Sequence, residues 1–143
     1  MEAKKVHDVV TLLAATTTAA GAVDTAGSSV RVSRPAHGIA FVLDVTAAAT
    51  DVGDTLDVEV QTKLDGTADW VDVVAFTQVL GNGGAKRHIA KLTADAAVTM
   101  FANADLAAGS IRDMFGDEWR VGYVQVDADS DASFTFSVTA CPM

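Results

Sequence analysis

Residues 55–64 alternate without a break, with Leu56, Val58, Val60, Thr62 and Leu64 on one side and Asp57, Glu59, Gln61 and Lys63 on the other. Successive side chains leave a strand on opposite faces, so this period of two predicts a half-buried strand. Asp65-Gly66 supplies turn chemistry, and residues 70–76 (Trp-Val-Asp-Val-Val-Ala-Phe) predict the returning strand of an antiparallel hairpin with one wet face. The stretch 53–76 is the organising unit of the chain, and most of the remainder is suited to covering its dry face.

On the N-terminal side, residues 9–15 are a candidate strand that periodicity does not separate from a helical turn, and residues 16–28, rich in Thr, Ala and Gly without periodicity, predict a loop or extended connection. Residues 29–33 (Ser-Val-Arg-Val-Ser) predict an edge strand whose Arg31 faces water and discourages stray pairing. After a turn at Arg34-Pro35-Ala36-His37-Gly38, residues 39–46 carry Ile39, Phe41, Leu43 and Val45 on one face and Ala40 and Val42 on the other, the mark of a central strand. On the C-terminal side, Gly81-Asn82-Gly83-Gly84 is the clearest turn, and residues 86–92 predict a further strand. Residues 93–118 form a long excursion with at most one or two helical turns, because Gly109, Gly116 and scattered aromatics oppose one long helix. The chain closes on a second predicted hairpin, 119–127 and 133–139, turning at 127–131. The expectation is an all-β fold: an antiparallel β-sandwich, jelly-roll or Greek-key-like, of about seven or eight strands. Residues 1–8 are expected to be an N-terminal arm and 9–143 a single domain.

Composition adds that the core is thin. Of 143 residues 26 are Ala and 20 Val, against 8 Leu, 3 Ile and 6 Phe. Burying a Leu or Phe contributes roughly 1.5–3 kcal/mol and Ala far less, so modest intrinsic stability is expected, with something to gain from a partner surface. The net charge is −9, placed unevenly: residues 1–40 carry +1 and residues 41–143 carry −10. So acidic a body repels phosphate backbones, which argues against nucleic acid as a partner. The lone Cys141 cannot form an internal disulfide. No secretory signal is expected from the N-terminal residues, and no stretch approaches about 18 unbroken apolar residues, so no membrane partner is expected and synthesis in a reducing cytoplasm is.

Candidate chemistry is sparse. Asp127-Ala128-Asp129-Ser130-Asp131 spaces three carboxylates as calcium loops do, but the helix-loop-helix pattern fails, since Ala132 stands where Gly is required and Val138 where Glu is. A solvated hairpin turn is the better reading, and a chelator is expected to leave the melting temperature unchanged. His7, His37 and His88 lack ligand spacing, and Cys141 is placed at a frayed terminus without a base. Asp57 and Glu59 lie on the wet face, where ordinary pKa values are expected, and Asp117/Glu118 is no stronger as an acid–base pair. The glycine-rich turn has no phosphate-loop context. The expectation is therefore no enzyme, no catalytic or metal residue and no cofactor. Residues suited to protein contact are the basic arm (Lys4, Lys5, Val6), either disordered or ordered on an acidic surface, and Phe101, Phe115 and Trp119 in or near the excursion, which either fold back onto the sandwich or face a neighbouring chain, since aromatics anchor interfaces.

Three segments carry a family likeness: 38–46 (Gly-Ile-Ala-Phe-Val-Leu-Asp-Val-Thr), 60–76 with its Asp-Gly-Thr turn, and 118–138, running from Glu-Trp-Arg-Val through Asp-Ala-Asp. With Leu12-Leu13-Ala14 upstream, the pattern over most of residues 9–139 resembles the small virion structural proteins encoded among the head genes of tailed bacteriophages. That resemblance implies a β-sandwich on the exterior of an icosahedral shell, a decoration or cement protein. Its implied partners are the major capsid protein and further copies of itself, as a trimer for example. The rival expectations are a neck, tail or fibre-associated virion protein and, from a different class, a carbohydrate-binding sandwich.

Overall fold

Every regular element among the described residues is a strand. The computed structural model describes residues 9–32, 37–64, 69–93 and 100–143. The long strands are β1 (Val10–Thr17), β4 (Gly38–Ala47), β5 (Thr55–Lys63), β8 (Lys86–Thr93), β10 (Glu118–Val126) and β11 (Thr135–Pro142). Shorter ones are β2 (Val23–Ala26), β3 (Val30–Arg31), β6 (Val71–Ala75), β7 (Val79–Leu80) and β9 (Ser110–Ile111). They form a four-stranded sheet in the order β1-β11-β4-β8 and a seven-stranded sheet in the order β2-β10-β5-β6-β9, with β3 on β10 and β7 on β5. All pairings are antiparallel.

The order has a simple origin. The chain pairs outward from the β5–β6 hairpin: β4 with β8, β2 with β10, β1 with β11. It is one long ribbon rolled up so that β5 also meets β10 and β4 also meets β11. That is the jelly-roll arrangement of eight principal strands in two sheets. The expected sandwich and its central hairpin are therefore present, although residues 65–68 at the hairpin tip lie outside the described residues.

The alternating faces close on each other. Ile39, Phe41, Leu43, Phe136 and Val138 of one sheet and Leu56, Val58, Val60, Trp119 and Val121 of the other are all buried in one core cluster. Rings cross the gap, Phe41 packing on Trp119 at 5.2 Å between centroids and Tyr123 on Phe136 edge-to-face at 5.1 Å.

Several expectations need correction. The second hairpin does not exist: β10 pairs with β2, β3 and β5 in one sheet, and β11 with β1 and β4 in the other. Alternation reveals a strand but not its partner, and residues 127–134 are an arch between sheets. The connection expected at 16–28 contains β2, held to β10 through its backbone although most of its side chains are exposed. The excursion contributes β9, which pairs with β6, and has no helix among its described residues. Cys141 is not frayed: it lies in β11 opposite Ala40. Residues 34–36 of the expected Arg34–Gly38 turn lie outside the described residues.

A buried polar clasp fixes the arch. Gln125 projects into the core, where its amide donates to the carbonyls of Ala19 (2.9 Å), Gly21 (2.8 Å) and Ala132 (3.4 Å). Its own oxygen accepts from the Thr18 hydroxyl, which in turn accepts from the Phe134 amide at 2.9 Å. Replacing Gln125 by Leu would leave these buried groups unpaired at about 1–3 kcal/mol each before relaxation. We expect Gln125→Leu to lower stability by about 3 kcal/mol, a fall of roughly 6–12 °C in Tm. A thermal melt indistinguishable from that of the native chain would show that the clasp contributes nothing.

Candidate functional site

The outer face of the seven-stranded sheet is less wet than its alternation implies. Asp72, on the returning strand of the hairpin, is buried although it is charged. A register shift between Val60 and Gln61 places Gln61 opposite Asp72, and the Gln61 amide donates to Asp72 Oδ1 at 2.7 Å. The excursion folds back over this point, with the Leu106 amide donating to Asp72 Oδ2 (3.2 Å) and Arg112 donating to the Asp72 carbonyl (3.0 Å). Next in the row, Arg120 donates to Gln61 at 2.7 Å and lays its guanidinium 4.4 Å from the Trp70 ring, with Lys63 5.2 Å from the same ring. Lys63 also pairs with Glu118 at 3.1 Å. Salt bridges, amides and rings thus form one row across β6, β5 and β10.

Glu59 sits in this row, across Gly122, where a side chain would collide with its carboxylate. Burial chiefly, then the charges of Asp72 and Asp105, a hydrogen bond with Asp72 and the charge of Asp24 push its carboxyl from 4.5 up to about 7. The ordinary pKa expected of Glu59 is therefore wrong, because the excursion that covers it cannot be read from alternation.

Among the described residues, the sheets end at one rim in the edge strands β8 and β9. An open groove of about 340 Å³ runs between β8 and β9, lined among others by His88, Ile89, Lys91 and Ile111. Ile89 is 67% exposed, and Phe101 is 40% exposed beneath the Arg112 guanidinium, 4.4 Å from the ring. Met100 beside it is 87% exposed. Of the expected contact residues, then, Phe101 is presented to solvent. Phe115 is half-buried against the core, and Trp119 is wholly inside it. Lys4, Lys5 and Val6 lie outside the described residues.

The arch end of the sandwich is acidic. Among the described residues one group of potential metal ligands comes together, Asp51 and Asp54 with Asp129 and Asp131. Asp127, first of the expected trio, stands apart as the organiser of the loop. Its Oδ1 accepts from the amides of Asp129 (3.1 Å), Ser130 (2.8 Å) and Asp131 (3.3 Å), and its Oδ2 from Gly21 (2.8 Å) and Ala132 (3.0 Å). Desolvation opposes ionisation, but these backbone donors outweigh it and hold the carboxyl down at about 2. A side chain at Gly81 would run into the Asp51 carbonyl; that close approach lets the 81–84 turn brace the β4–β5 loop, with Gly81 N–H donating to the Asp54 carbonyl at 2.8 Å. Sequence reasoning missed Asp51 and Asp54 as partners of the later loop.

No protein-family model matches the chain, and no curated protein matches it.

Glu59 gives a pH dependence with a definite sign. A carboxyl with a folded pKa above its unfolded value binds extra protons when folded, so stability is lost as pH rises from about 4.5 to about 7. Glu59→Gln lacks that loss. The variant should match the native chain near pH 4 and exceed it at pH 8 by about 1 kcal/mol after allowance for solvent screening, roughly 2–4 °C in Tm. A difference that does not change between those pH values would refute the shift.

Proposed function

We propose that this chain is a virion structural protein that decorates the outer surface of a tailed-phage head and reinforces contacts between major capsid subunits. The observation that carries the reading is the open rim, where Ile89, Ile111, Met100 and the Arg112-backed Phe101 are all exposed around the free edges of both sheets. Aromatic residues, Met and Arg are the side chains enriched where proteins meet proteins. The likeness of segments 38–46, 60–76 and 118–138 to phage head-gene products supplies the capsid as the partner.

Such a protein works by linkage. Binding only the assembled shell stabilises that state, and an interface of standard size buries about 1,600 Å². A small contribution is then repeated over many copies. A rim that sets exposed apolar side chains beside polar and basic ones, His88 and Lys91 of β8 among them, suits a surface of mixed character. The carbohydrate reading has less to stand on: Trp119 and Tyr123 are spent on the core, and the Trp70 ring is taken up by Arg120 and Lys63.

Copy number on purified particles is the direct test. Hundreds per particle are expected, whereas a few dozen or fewer would move the protein to the neck or tail and end the decoration reading. On the same particles, Phe101→Ala should weaken binding about tenfold or more, as loss of an interface anchor does. Deleting residues 1–6 should weaken binding more than it lowers the Tm of the free chain. Unchanged occupancy with both variants would remove the rim and the arm from the interface.

A further inference from the structure

We propose that Asp51, Asp54, Asp129 and Asp131 form a divalent-cation site of calcium type that ties together two arches at one end of the sandwich. The first arch, residues 48–54, leads from β4 of the four-stranded sheet to β5 of the seven-stranded one; the second, residues 127–134, leads back from β10 to β11. One carboxylate oxygen from each of the four residues lies within 4.8 Å of the others. Two oxygens on opposite sides of a calcium ion, each bonded at about 2.4 Å, stand about 4.8 Å apart, so the spacing is that of ligands sharing a single ion.

Proximity of acids alone would carry little; the buried member decides the matter. Asp54 is 0% exposed, and its carboxylate Oδ1 accepts from the Ala128 amide at 3.0 Å. Its Oδ2 is buried and has no hydrogen-bond partner among the described residues. Buried carboxylate oxygens are costly when left unpaired, and a native fold rarely retains one without a role. Here the unpaired group belongs to the residue around which three further carboxylates gather, and a bound cation satisfies it directly. Asp54 is also fixed from behind, its amide donating to the Asp51 carbonyl (3.2 Å) and its carbonyl accepting from Gly81.

The ligand chemistry selects the ion. Four carboxylates are hard oxygen donors, suited to Ca²⁺ and unsuited to Zn²⁺ or Cu²⁺, which favour imidazole and thiolate. Asp129 and Asp131 are exposed, which leaves room for water to complete the six to eight oxygens that Ca²⁺ takes. Irregular loop ligands fit that flexible shell better than the strict octahedron of Mg²⁺. Read from residues 127–131 alone, the sequence predicts no response to a chelator; with Asp51 and Asp54 included, the structure predicts one. The proposal is independent of the virion reading.

The test uses the full chain stripped with EDTA and dialysed free of it. Titration calorimetry with CaCl₂ should give one site per chain, and Ca²⁺ at about 100 times its Kd should raise Tm by roughly 5–10 °C. MgCl₂ at the same concentration, which matches the ionic strength, should give at most a small part of that rise. Asp54→Asn and, separately, Asp129→Asn should each abolish most of the calcium response. Because Asp129 is an exposed loop residue, its variant keeps the test decisive should Asp54→Asn fail to fold. No heat and no Tm rise with Ca²⁺, an equal rise with Mg²⁺, or a full response retained by Asp129→Asn would each overturn the proposal.

Discussion

Closure of the two sheets on each other is the constraint from which the remaining structure follows. Neither sheet can bury its apolar face alone, and the side chains available are mostly Val and Ala. The large groups are placed where they bridge the gap: Phe41 against Trp119, Tyr123 against Phe136. Because β5 and β4 are each central in their own sheet, a ribbon rolled about β5–β6 gives every apolar strand face an opposing one. The nine-residue register of β10 on β5 carries that arrangement across the middle of the larger sheet.

A core thin in large residues places weight on polar fasteners, and these concentrate where the chain changes sheet. Gln125 and Thr18 hold the start of the second arch to the connection after β1, and Asp127 gathers five backbone amides around itself. An arch cannot be held by ladder hydrogen bonds, since its backbone has left one sheet and not yet joined the other. Side chains with several acceptor or donor sites do that work instead. The polarity of Gln125 inside an otherwise apolar strand face follows from this position.

The alternation of residues 55–64 and 39–46 made β5 and β4 legible, including which side chains would be buried. Pairing partners were not legible. Residues 119–127 and 133–139 looked like a hairpin because they are neighbours in sequence with a turn between them, yet their inward faces belong to opposite sheets. β2 and β9 escaped because they hold on through backbone pairing and short length, leaving no pattern of burial to read. Glu59 was correctly assigned to the outer face, but its altered acidity depends on Asp72, Asp105 and the excursion folding back, contacts that no local pattern encodes. The acidic arch was half legible: the Asp127–Asp131 run stands out, while its partners at Asp51 and Asp54 lie more than seventy residues upstream.

The structure thereby separates two kinds of surface. Around the edge strands β8 and β9, the described residues expose Ile89, Ile111 and Lys91 to solvent, side chains available to another protein. At the arches the chain is turned inward, with carboxylates engaged by its own amides and by one another. An edge can adhere only if the sheet behind it keeps its shape, and that shape is set by how the two sheets are joined. Whatever strengthens the meeting of the 48–54 and 127–134 arches therefore also stiffens the platform on which β8 and β9 are carried, because β4 pairs with β8 and β5 with β6, the neighbour of β9. Adhesion at the rim and fastening at the arches are in this sense one mechanical problem, solved by different chemistry at different places on the same roll.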